Sequence, residues 1–112
     1  MKIKTNKLNE IALDWAVCCI EGQQMSRYTR YSTDWSQGGP IIEREGIELL
    51  CNVTERMAAR FKSAHADWFA CLRSNRLEHH HGPTPLIAAM RCFIASKLGD
   101  EIEVPEELNP ED

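Results

Sequence analysis

Between Tyr31 and Gly39 the chain reads Tyr-Ser-Thr-Asp-Trp-Ser-Gln-Gly-Gly, setting two flat aromatic faces among hydroxyl, carboxylate and amide groups. Tyr31 and Trp35 can stack on a planar group. Ser32, Thr33, Asp34 and Gln37 can exchange hydrogen bonds with its polar edge. Gly38 and Gly39, followed by Pro40, read as a turn, because they lack the spacing, the lysine and the following helix pattern of a phosphate loop. A second group stands at Thr84, ahead of an apolar run, where a helix start leaves amides that favour a phosphate or carboxylate. Arg91 follows two turns later, about 10 Å along the same helix. It is either an arginine paired with a carboxylate or a residue that reaches into a pocket.

Other chemistry is sparse. His79, His80 and His81 follow one another in what reads as a loop, where adjacent side chains do not converge on one tetrahedral ion without a further ligand such as Glu78 or His65. No metal site is expected, and no cofactor motif is present. Asp34, Glu43 and Asp67 are acids without a base at a matching spacing, so binding is favoured over catalysis. Trp68, preceded by Asp67, repeats the pairing at Asp34 and Trp35, but its apolar neighbours place it in the core.

Elements must hold these groups. Ile11, Ala12, Trp15, Ala16, Cys19 and Ile20 recur at helical spacing and predict a helix over residues 9–21, begun by Asn9 and ended by Gly22. Residues 23–40 read as a long structured loop anchored by Tyr28, Tyr31 and Trp35 on a core or a partner. Ile47, Leu49 and Cys51 predict a short strand, with Leu50 and Val53 on its other side or end. A helix over 55–64 and a strand over 67–73 come next. The last helix is the clearest: Thr84 caps it, Pro85 occupies its first position and Gly99 stands past its end. Leu86, Ala89, Met90, Phe93 and Lys97 share a stripe, with Ile87, Ile94 and Leu98 widening it. Ile102 and Val104 form an edge strand ended by Pro105. The expected fold is a single α+β domain over residues 1–112, with two principal helices, a short antiparallel sheet and a long structured loop.

The composition is that of a globular chain, with 43% hydrophobic and 27% charged residues. A net charge of -4 opposes non-specific binding to nucleic acid. Arg56, Arg60, Lys62, Arg73 and Arg76 make the middle basic, while the C-terminal stretch from Asp100 is acidic, ending in a tail from about residue 105. The opening residues carry lysines without an apolar run behind them, so neither a secretory signal nor a membrane span is expected, and the cytosol is the expected location. Cys18, Cys19, Cys51, Cys71 and Cys92 form no C-x-x-C pair and read mainly as buried reduced thiols. Trp15, Tyr28, Tyr31 and Trp35 are more aromatic surface than one thin core hides, which favours a homodimer or larger assembly.

Three stretches resemble the phage and prophage NinX-like family of small proteins. They are Ala12-Leu13-Asp14-Trp15-Ala16-Val17, the run from Tyr31 through Gly38-Gly39-Pro40 to Glu45, and the run from Gly82-Pro83-Thr84-Pro85 through Arg91-Cys92 to Ser96-Lys97-Leu98-Gly99-Asp100. The resemblance implies expression inside a bacterial host and carries over no catalytic residue. Between Gly22 and Tyr31 the chain is shorter than similar proteins, and residues 52–65 depart from many of them.

Together these readings favour a non-enzymatic phage accessory protein that binds a small anionic, nucleotide-like ligand, sequestering a host signal. The ligand-binding residues would be Tyr31, Ser32, Thr33, Asp34, Trp35, Gln37, Gly38, Gly39, Thr84 and Arg91. In that arrangement the loop crosses the start of the last helix, burying Trp35 on Leu86 or Ile87. The alternative function is a protein-interaction module acting on a host or phage factor, with the aromatic loop as its hot spot. If the loop merely seals the core, Arg44 pairs with Asp100 or Glu101.

Overall fold

The computed structural model describes residues 1–51 and 68–108 of the chain. Strand β1 (Lys2–Lys4) and a 3-10 turn (Thr5–Lys7) lead into helix α1 (Glu10–Glu21) and helix α2 (Trp35–Glu45). Strands β2 (Ile47–Cys51), β3 (Trp68–Leu72) and β4 (Asn75–Gly82) precede helix α3 (Pro85–Leu98), strand β5 (Glu101–Glu103) and a closing 3-10 turn (Glu106–Leu108). The helix expected over 55–64, Val53, His65, Asp67 and the basic residues Arg56, Arg60 and Lys62 lie outside the described residues, as does the tail from residue 109.

Helix α3 forms where its end signals place it. The Thr84 hydroxyl accepts the Ile87 amide at 3.1 Å, Pro85 needs no amide partner, and the Gly99 amide closes on Ala95 O. Leu86 through Ile94 are all buried. A helix apolar around its whole circumference must be covered on every side. The three-stranded sheet, α1 and α2 all pack on it.

The sheet is antiparallel in the order β2-β3-β4, and the second sheet pairs β1 with β5. In the latter, Lys2 lies opposite Glu103 and Lys4 opposite Glu101, so opposite charges face each other across both ends of a clasp that joins the two ends of the described chain. Buried Thr5 continues the clasp, its hydroxyl donating to Gly99 O at 2.6 Å. The fold is thus α+β, with two small antiparallel sheets rather than one. The histidine run lies in β4, not in a loop, and β4 breaks register with β3 between Leu72–Asn75 and Ala70–His80. Leu77 sits in that irregular stretch, 95% exposed.

Two helical expectations change. Three α-helices occur among the described residues, not two, because residues 35–45, which include the whole of the expected Gly-Gly-Pro turn, are helical. Asp34 caps this helix through the Ser36 amide, Gly46 ends it at φ 67°, and Pro40 lies inside it. Glycine and proline at such positions oppose a helix by about 1 and 3 kcal/mol. Packing offsets that cost: a Cβ on Gly38 would stand 2.6 Å from both Leu86 Cδ1 and Tyr31 O, so only glycine lets α2 seat on α3. In α1 the buried face is Ala12, Leu13, Asp14, Ala16, Val17 and Cys18, and the expected face members Ile11 and Cys19 are exposed. Asp14 is buried by a hydrogen bond rather than by apolarity, which rotates the face away from the hydrophobic pattern.

Candidate functional site

The loop before α2 is held by its own polar groups. Asp34 Oδ1 accepts the Ser36 amide at 2.9 Å and the Ser36 hydroxyl at 2.6 Å, and Ser36 thereby holds the carboxyl below its ordinary pKa. Gln37 reaches back across the loop, accepting the Arg30 amide at 2.7 Å and donating to Tyr28 O at 2.9 Å. Ser26 and Thr29 close the preceding turn, and the Thr33 and Asp34 amides both donate to Arg30 O. Asp34 and Gln37, expected to face a ligand, therefore shape the loop.

Beneath it, Asp14 Oδ1 accepts the Ser32 amide at 2.8 Å. Both residues are buried, and desolvation raises the Asp14 pKa against the lowering effect of Ser32. The Ser32 hydroxyl lies near enough to favour the charged carboxylate yet makes no bond of full hydrogen-bond geometry. Tyr31 is half-buried against the core. Of the three expected anchors, Tyr31 alone packs on the core.

Above the loop the arrangement is different. Tyr28 is 71% and Trp35 51% exposed, Gly39 lies near the indole edge, and Thr33 is exposed as well. The Arg27 guanidinium stacks on the Tyr28 ring at 5.0 Å and donates to its hydroxyl at 2.9 Å. Arg30 is exposed beside them and donates to Thr29 O. Two aromatic faces and two guanidinium groups thus share one short, internally braced loop. Arg27 and Arg30 were missed as site residues, although the alternation Arg-Tyr-Thr-Arg-Tyr from Arg27 to Tyr31 interleaves cations with aromatics.

Thr84 and Arg91 have partners of their own within the scaffold. The Thr84 hydroxyl and carbonyl accept the Ile87 and Ala88 amides, so the cap is occupied. Arg91 is buried and donates to Leu8 O at 3.0 Å, His81 O at 2.9 Å and Asn9 Oδ1 at 3.0 Å. Burial lowers its pKa. At roughly 3.6 residues per turn it projects about 140° around α3 from Leu86, the residue that meets Gly38. Its role is a neutral-acceptor clamp on the start of α1 and the end of β4, which neither sequence reading contained. Asn9 serves this clamp instead of capping α1 with its side chain.

Arg44 also differs from expectation. It pairs with Glu21 through both guanidinium nitrogens, at 2.9 and 3.0 Å, and with Glu45 at 2.8 Å, rather than with Asp100 or Glu101. Glu45 in turn accepts Lys97 at 3.0 Å, locking α2 along α3.

Surface hollows lined by described residues lie away from the aromatic loop. One of about 570 Å³ and one of about 250 Å³ share Glu78 and His80, and one of about 490 Å³ lies by the start of α1. Among the described residues no group of three or more His, Cys, Asp or Glu is placed to hold a metal ion. Cys18, Cys71 and Cys92 are buried thiols, Cys51 is half-buried and Cys19 is exposed; burial pushes the Cys92 thiol up to about 12. No helix among the described residues is long and apolar enough to cross a membrane.

The chain is thus an α+β domain whose aromatic loop is braced by its own polar groups. Its residues 4–97 match the family described as Bacteriophage P22, NinX, and the chain belongs to that family. No match is found among curated proteins.

Proposed function

We propose that this phage accessory protein acts without catalysis, by binding another protein through the face formed by Arg27, Tyr28, Arg30, Thr33 and Trp35. The observation that supports this reading is the exposure of Tyr28 and Trp35 on a loop fixed by Gln37 and Asp34. Tyr, Trp and Arg are the residues that most often dominate binding energy at protein interfaces, and a braced loop has little entropy left to lose on docking. Capture from host lysate tests it. A stoichiometric partner retained by the native chain and lost by Trp35→Ala supports the proposal, and an unchanged bound set contradicts it.

The Arg27–Tyr28 stack favours a second reading, a small anionic, nucleotide-like ligand. Tyr31, Ser32, Asp34, Gln37, Gly38 and Gly39 would then support that surface from within, while Thr84 and Arg91 would act only on the scaffold. Calorimetry against a nucleotide panel decides this point: a binder tighter than about 100 μM puts the small ligand first. Self-association through the same face is a third occupant, and sedimentation at about 100 μM, well above the Kd of a stable dimer, separates it from the other two.

A further inference from the structure

The hollow of about 490 Å³ at the start of α1 has an apolar floor made by Ile11, Pro83, Ile87 and Leu108. Ile11 is 54% exposed there, next to the buried residues of α1. The rim carries the carboxylates of Glu10 and Glu107, and among the described residues no cation lines the hollow. Its back wall is Asn9, whose side chain is fixed by the buried Arg91 guanidinium at 3.0 Å. Glu10 has a φ of 39°, the one left-handed residue other than glycine among the described residues. A first-turn carboxylate satisfies the helix dipole with ordinary dihedrals, so the dipole does not account for this conformation. Strain of this kind persists where surrounding structure over-determines it, and it collects at binding sites.

We infer that this groove docks a short peptide segment carrying a lysine or arginine next to a branched aliphatic side chain. The charge of the rim selects the cation, whose methylene stem lies along the apolar floor with its head at Glu10 and Glu107. The neighbouring aliphatic side chain covers Ile11 and Ile87. A free metal ion or a small anion would leave the apolar floor unmatched. The groove is separate from the Tyr28–Trp35 face and can hold a second segment of the same partner.

The test is a ¹H–¹⁵N titration of the full chain with acetyl-Gly-Ile-Lys-Ile-Gly-amide and with its Glu counterpart, each to about 10 mM, a concentration suited to a weak single-segment contact. The lysine peptide alone is expected to shift the amides of Asn9, Ile11, Ile87 and Leu108, with smaller shifts in about 0.5 M salt. Equal shifts with both peptides, or none in this set, overturn the proposal. Glu10→Gly gives a second readout, because glycine adopts the left-handed conformation without strain. It is expected to raise Tm while weakening the lysine peptide at least about fivefold, and Glu107→Gln to weaken it similarly at unchanged Tm. Glu10→Gly and Glu107→Gln proteins that both bind the lysine peptide as the native chain does overturn the assignment.

Discussion

The Asp14 carboxylate, buried in α1, accepts the Ser32 amide at 2.8 Å and so ties the first of the three family stretches to the second. Gly38, pressed on Leu86, ties the second to the third. The three stretches that mark the family in sequence are therefore one continuous support beneath the exposed loop.

Removing the acceptor leaves the Ser32 amide buried without a partner. Asp14→Ala is expected to destabilise the chain by about 1–3 kcal/mol, and Asp14→Asn, which retains an acceptor oxygen, by less. Chemical denaturation of both variants at neutral pH checks the order.

The same carboxyl gives a signed pH dependence. Its folded pKa lies above 3.8 because of burial, so its contribution to stability is full below that value and is lost as pH rises through the folded pKa. His80 and His81 act oppositely. Burial, the leading cause for both, holds their folded pKa below 6.5, so their contribution is present above 6.5 and is lost as pH falls through the folded values. Denaturation curves taken through both ranges should show Asp14→Asn removing Asp14's share of the first slope and His80→Gln reducing the second.

Adjacent glycines of α2 should respond in opposite directions. Gly38→Ala drives a methyl into Leu86 and the Tyr31 carbonyl and is expected to cost about 1–3 kcal/mol. At Gly39 a Cβ meets nothing nearer than Trp35 Cε3 at 4.0 Å, so Gly39→Ala is expected to stabilise the helix by about 0.5–1 kcal/mol. Thermal melts of the two variants check the sign of each change.

Arg91 holds three acceptors on two other segments, and a lysine cannot reproduce that fork. Arg91→Lys is expected to lower stability substantially, and Arg91→Ala by at least about 3 kcal/mol, since each bond from a charged donor contributes about 1.5–3 kcal/mol. Denaturant midpoints measure the loss. If Arg91 served a ligand, these variants would lose binding with stability intact.

Legibility in the sequence followed the kind of signal. Helix α3 declared itself because Thr84, Pro85 and Gly99 act locally, and Gly22 ends α1 for the same reason, whereas the Asn9 side chain is taken up by distant Arg91 instead of capping. α2 was hidden because local chemistry argues against it: Gly38, Gly39 and Pro40 all disfavour a helix, and the contact with Leu86 that rewards Gly38 is distant in sequence. β4 was hidden because Asn75 to Gly82 has no alternation and its pairing slips. The Lys-to-Glu register of β1 and β5 is legible only after both strands are placed. At the site, residue types were a sound guide to what is unusual and a poor guide to direction. Asp34 and Gln37 bond to the loop itself, while Tyr28 is exposed and not part of the core.

The most direct test of the account is the affinity of the captured partner for the native chain and for the double variant Tyr28→Ala, Trp35→Ala. Both side chains are largely exposed, so the variant should fold with its stability changed by no more than about 1 kcal/mol. A hot spot of two such residues predicts that affinity falls at least about 30-fold, equivalent to about 2 kcal/mol. A stably folded double variant that binds the partner as tightly as the native chain would contradict the claim that this face is the recognition surface.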